Sequence, residues 1–193
     1  MAPVALEKIE TAIKKGCQRA ADRYEKITGG HWLSSAPESY IQSCIFEKIG
    51  DLDNLYATME TSHQKISEDT DISFKKKFTE DMKNGRLDLV VWYANGMPRV
   101  IIEIKKFYLK STFDNDASRI RYWMENSDIR LQAGFLVGYT EAKGVKSRET
   151  LTHRFESLRD HTNGDLRWCD IRSDADDYGY RSAIGLVKIW PDS

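Results

Sequence analysis

Paired cysteines, metal-spaced histidines, long apolar runs and a strong net charge are all missing from this sequence, and each absence closes off a class of function. The cysteines are Cys17, Cys44 and Cys169, an odd number set far apart with no C-x-x-C spacing. Neither a disulfide framework nor a zinc knuckle is expected, and the three read as buried thiols. The histidines, His31, His63, His153 and His161, form no H-x-x-x-H pair, so they suggest satisfied or surface imidazoles and no metal centre. No apolar stretch approaches the roughly 20 residues needed to span a bilayer. The N-terminus alternates apolar and charged residues without the apolar core or cleavage site of a signal peptide, so the expected compartment is the cytoplasm. No repeat, low-complexity tract or linker interrupts the chain. The net charge of −1 argues against a protein that coats nucleic acid through bulk electrostatics.

What is present is an ordinary globular composition, with 40% hydrophobic and 31% charged residues over 193 positions, enough for one domain with a sizeable core. Local charge is less even. Between Lys75 and Lys110 lie nine cations (Lys75, Lys76, Lys77, Lys83, Arg86, Arg99, Lys105, Lys106 and Lys110) against four acids (Glu80, Asp81, Asp88 and Glu103), a net +5.

Hydrophobic spacing predicts an N-terminal helix over residues 4–28, ended by Gly29 and Gly30, and a second helix over about 38–49 behind Pro37. A strand is expected near 55–61. A long polar stretch follows, with at most a short strand at Ile72 to Phe78. Strands are expected at 86–94 and 98–107, then a helix from Asp114 or Asn115 to 126, a buried strand at 131–139, a helix at 147–160, and strands near 166–171 and 183–190. The acidic run at 174–177 reads as a turn.

The hairpin segment "GRLDLVVWYANGMPRVIIEIKK", residues 85–106, carries the chemistry. Asn95-Gly96 is the preferred pair for a two-residue turn. With Ala94 facing Met97, counting outward sets Asp88 opposite Glu103, side by side on one face. Two adjacent carboxylates repel unless a proton or cation lies between them. A divalent ion with open positions for water, Mg²⁺ or Mn²⁺, suits such a pair. The strand period of two puts Lys105 on the same face as Glu103, where an ammonium can position water or neutralise charge on phosphorus. The plainer alternative is a solvated edge hairpin with ordinary cross-strand ion pairs. Against it stand Leu87, Leu89, Val90 and Val91 on one arm and Val100, Ile101, Ile102 and Ile104 on the other, the pattern of strands buried on both faces.

Asp88, Glu103 and Lys105, in an aspartate then (D/E)-x-K order, resemble the signature of the PD-(D/E)XK, or restriction-endonuclease-like, nuclease superfamily. The resemblance covers about residues 38–140, with Leu87 where the signature often has proline. It implies an α/β fold with an αβββαβ core and mixed central sheet, here in one domain of residues 1–193. The core would carry an N-terminal helix and a C-terminal helix-strand-strand extension over 141–193. It also implies Mg²⁺-dependent hydrolysis of phosphodiesters, with Mn²⁺ as substitute, and DNA as the substrate. Asp88 and Glu103, with the backbone carbonyl of Ile104, would hold the ion, and Lys105 would serve the water and the transition state. Glu38 matches a helix glutamate that in many relatives reaches the metal or its water; a first-turn acid complementing the helix dipole is the equal alternative. Glu60, on the strand beside Asp88, is a further candidate ligand against a surface glutamate. Glu47 reads as solvated.

Lys75, Lys76 and Lys77, together with Lys106 and Arg119, are candidate DNA-backbone contacts. The alternatives are a lysine-protected edge strand for the first three and an ion pair with Asp116 for Arg119. The five tryptophans read as core or groove residues. By analogy such a protein would act in host defence, restriction or repair, as a dimer or with a protein partner. A ribonuclease with the same site and a non-catalytic nucleic-acid-binding or assembly subunit are the competing functions.

Overall fold

The computed structural model describes residues 4–70, 72–78, 82, 85–129, 131–172 and 179–190. Lys83, Glu80 and Asp81 of the basic window and the acidic run at 174–177 lie outside them.

The chain orders itself as α1 (Leu6–Thr28), α2 (Glu38–Gly50), β1 (Leu55–Ser62), α3 (His63–Thr70), β2 (Arg86–Tyr93), β3 (Pro98–Lys106), α4 (Asp114–Asn126), β4 (Ala133–Lys143), α5 (Ser147–His161), β5 (Asp165–Ile171) and β6 (Tyr180–Ile189). The strands build one six-stranded mixed sheet in the order β1-β2-β3-β4-β6-β5. Only β3 and β4 run parallel, as strands joined through a crossover helix must; that helix is α4. The result is an α/β fold in which the two C-terminal strands extend the same sheet.

Each helix lays its apolar stripe on the sheet. On one face Ile9, Ile13 and Cys17 of α1 and Ile41, Ile45 and Ile49 of α2 pack with Leu89, Val91, Val100, Ile102 and Ile104. Gly16 lets the two helices touch, since a Cβ there would lie 2.6 Å from the Cα of Ile45. On the other face Ile120 and Trp123 of α4 and Leu151, Phe155 and Leu158 of α5 pack with Val90, Ile101 and Leu136. Strands β2 and β3 are thus covered on both sides, and the solvated-edge alternative for this hairpin does not hold.

Two sequence expectations need correction. Residues 63–70, expected within a long polar stretch, form helix α3. The Ser62 hydroxyl caps it by accepting the Lys65 N–H at 3.2 Å, and its buried side chains are His63 and Ile66. The expected strand at Ile72 to Phe78 reduces to a single bridge between Phe74 and Ser127. The rings of Phe74 and Phe78 instead pack on Trp123 and Tyr122, which holds the segment by its side chains.

The hairpin turn is also one residue longer than expected. Tyr93 N–H donates to the Met97 carbonyl at 2.9 Å, so Ala94, Asn95 and Gly96 make the loop, with Gly96 at φ 85. Trp92 pairs with Pro98 and Val91 with Val100, leaving Arg99 as a bulge. Proline has no N–H to give the ladder, and a bulge beside it absorbs the defect. The extra loop residue and the extra bulge residue offset each other. Beyond them Leu89 faces Ile102, the register expected from a two-residue turn.

Candidate active site

Strands β2 and β3 part company after the Leu89–Ile102 pair, although β2 stays paired with β1 as far as Arg86. The gap leaves the backbone of β3 without a strand partner on that side, and buried N–H groups must find other acceptors. Two carboxylates supply them. Asp88 Oδ2 accepts the Ile104 N–H at 2.6 Å, and Glu38 Oε1 accepts the Lys106 N–H at 3.1 Å. The N–H and C=O of one strand residue point to the same side, so the Ile104 carbonyl faces the gap between these carboxylates.

Glu103 lies beside Asp88. The Asp88 N–H is 3.5 Å from Glu103 Oε2, and the two carboxyl groups are within reach of a shared proton. Glu103 is 1% exposed, on a strand flanked by both neighbours and covered by α4. From that helix Arg119 donates to Glu103 Oε1 through Nε at 3.3 Å and Nη2 at 3.2 Å. The same guanidinium binds Asp116, which is also buried. Lys105, on the Glu103 face of β3, brings its Nζ to 3.3 Å from Asp116 Oδ2, a charge contact without the alignment of a hydrogen bond. Lys105, Asp116, Arg119 and Glu103 therefore form one chain of opposite charges.

The acids outnumber the cations, and their proton affinities respond. Burial raises the Asp88 carboxyl to about 6 despite the Ile104 N–H, with the charges of Glu60 and Asp116 adding to the rise. Glu103 is raised further, first by burial and then by the Asp88 charge, and Arg119 only partly offsets these. Two carboxyls that prefer to keep a proton between them are a donor set into which a divalent cation fits. Among the described residues no three His, Cys, Asp or Glu side chains converge as a ready metal cluster. Asp88, Glu103 and the Ile104 carbonyl offer fewer protein ligands, which suits an ion that keeps several waters.

Sequence reasoning missed Gln42. It sits one helical turn after Glu38, on the same face of α2, and its Nε2 donates to the Asp88 carbonyl at 2.5 Å and to Glu60 Oε1 at 3.0 Å. The four-residue spacing was the available signal. Glu60 itself is exposed on β1 opposite Asp88, with φ 53, a left-handed conformation rare for a residue with a Cβ. It joins the cluster through Gln42 and makes no direct contact with Glu103. His63 was also missed: buried behind α4, it accepts the Trp123 Nε1–H on Nδ1 at 2.7 Å, so Nε2 carries the proton. Burial and the nearby Arg119 charge push its pKa down to about 4.

The other candidates are dispersed. Lys106 turns to Glu141 at 3.6 Å and over the Tyr108 ring. Lys75, Lys76 and Lys77 are exposed, with their segment pinned to α4 by Lys75 N–H donating to the Asn126 carbonyl at 2.8 Å and by Tyr122 O–H to the Lys76 carbonyl. Arg119 faces inward to Glu103 and Asp116, as an ion-pair partner. Glu47 pairs with Arg19 at 2.7 Å on the surface. No protein-family model, curated protein or solved structure matches the chain.

Proposed function

We propose that the protein is a Mg²⁺-dependent nuclease of the PD-(D/E)XK type that hydrolyses phosphodiesters in DNA. The observation that carries this reading is the splayed β2–β3 gap, where Asp88 and Glu103 stand together beside the Ile104 backbone. Lys105 extends from the same strand face. A bound divalent ion would lower the pKa of a coordinated water and neutralise charge developing on phosphorus.

The chain's own residues divide the remaining work. Asp88 and Glu103 would hold the cation, whose charge would offset what their burial leaves unpaired. Asp88 is oriented by the Ile104 N–H and by Gln42 on its carbonyl. Lys105, partly exposed, is positioned by Asp116 and can orient the attacking water or meet the phosphate charge. Arg119, paired with both Glu103 and Asp116, offsets part of their charge. Glu38, on the Lys106 N–H, lines the same gap and can accept a hydrogen bond from water. The exposed lysines 75–77 supply non-specific phosphate contacts.

The test is digestion of supercoiled plasmid, linear duplex, single-stranded DNA and RNA by purified protein with Mg²⁺, Mn²⁺ or EDTA. Cleavage of DNA that requires the ion and is lost in Lys105→Ala is the expected result. RNA cleavage alone would reassign the substrate, and no cleavage of any polymer would leave a binding role.

A further inference from the structure

Arg99, the bulge residue of β3, buries a guanidinium at the opposite end of the strand from Lys105, and it is 1% exposed. Its Nε donates to Gln132 Oε1 at 2.7 Å, its Nη2 donates to the Val4 carbonyl, and its carbon centre lies 4.9 Å above the Tyr93 ring. Nη1 has no partner, and among the described residues no carboxylate pairs with this charge. A buried cation without a counter-charge is costly, and a charged donor left unpaired adds to that cost.

Arg99 is one of the residues that line a cavity of about 780 Å³, its unpartnered Nη1 lying just beneath the surface. Tyr93, Leu131 and the exposed Trp190 supply flat and apolar surface, and Ala5 and Leu6 bring in the start of α1. That helix is 23 residues long and has no side-chain cap at Ala5, so its first N–H groups and its dipole also favour an anion. Glu7, exposed on the rim, is the one acid of the wall among the described residues.

We propose that this cavity binds a small organic anion, a carboxylate or phosphate carried on a flat apolar body, with the anionic group at Arg99 and the α1 N-terminus and the body between Tyr93 and Trp190. Its volume falls in the range of small-molecule sites. The site is separate from the proposed nuclease centre and does not depend on it.

Titration calorimetry of the full chain with phenyl phosphate, benzoate, inorganic phosphate and neutral benzyl alcohol tests this. The aryl anions should bind at least about ten-fold more tightly than benzyl alcohol, and comparison of the two decides between phosphate and carboxylate. Arg99→Lys keeps a charge but loses the planar fork, and should weaken binding about ten-fold. Glu7→Gln removes the competing charge and should tighten binding, and Trp190→Ala should weaken it; these two serve if Arg99→Lys does not fold. Equal affinity for benzyl alcohol, absence of binding by every probe at millimolar concentration, or unchanged affinity in the folded variants would overturn the proposal.

Discussion

Strand β3 buries charge at both ends, and the two ends are built on opposite balances. Near its C-terminus Glu103 meets Asp88 and Asp116, and the described cations in contact are Arg119 and the half-exposed Lys105. Near its N-terminus Arg99 has amide and carbonyl acceptors but, among the described residues, no acid. A buried excess of negative charge is relieved by protons or a cation, and a buried excess of positive charge by an anion. One strand thus buries unmatched charge of opposite sign at its two ends. Residue type alone does not separate them from structural ion pairs; the count of unmatched charge in each pocket does.

The largest effects are expected at the acidic end. Lys105→Ala should lower DNA cleavage by about 10²–10⁴-fold through lost water positioning and charge stabilisation, while Mn²⁺ still binds on calorimetric titration. Asp88→Asn should lower both cleavage and Mn²⁺ affinity. Full cleavage by either variant would return these residues to a structural role.

Removing the guanidinium is next in size. Arg119→Met leaves Glu103 and Asp116 buried without their shared cation, and should destabilise the fold by about 3–5 kcal/mol at pH 8. Denaturant unfolding at pH 8 and pH 5 should show a smaller loss at the lower pH, where protons replace the missing cation.

A smaller effect sharpens the sign of the imbalance. Asp88 is raised from 3.8 to about 6 in the folded state, so between those values the native protein binds the extra proton. Stability from this group is therefore present below pH 4 and is lost as pH rises toward 6. Above pH 6 the ionised carboxylate costs about 3 kcal/mol. In EDTA at pH 8, Asp88→Asn should raise the melting temperature, and Mg²⁺ should raise that of the parent but not of the variant. A lower melting temperature for the variant would show that the carboxylate is already satisfied.

The smallest expected change is Gln42→Ala. It removes the donor to both Glu60 and the Asp88 carbonyl, and should cost about 1–2 kcal/mol in denaturant unfolding. Cleavage should fall with an unchanged pH profile, as befits a residue that acts by positioning Asp88.

Much of the fold was legible because the apolar spacing is strong where elements are long. Ile9, Ile13 and Cys17 mark α1, and the double-sided apolar runs around Asp88 and Glu103 mark central strands. Helix α3 was not legible, because its stripe is short and contains the polar His63. The Asp88–Glu103 pairing was reached from a two-residue turn that the chain does not make. A three-residue loop and the Arg99 bulge cancel, and no local pattern announces two offsetting insertions. The Arg119–Asp116 pair is legible from its three-residue spacing, whereas Gln42 is not, because an amide on a helix is commonplace until its partner strand is in place.

The sequence by itself determined the long helices and the six sheet strands, which face of each is apolar, and that two acids and a lysine fall within one hairpin, because these follow from spacing along the chain. Tertiary structure alone decided that β2 and β3 separate beyond the Leu89–Ile102 pair, that Arg119 and Asp116 close on Glu103 from α4, and that Arg99 lies buried with no acid beside it among the described residues. Those facts depend on residues distant in sequence sharing a water-poor space, where the energy of a charge is set by its neighbours rather than by its own type.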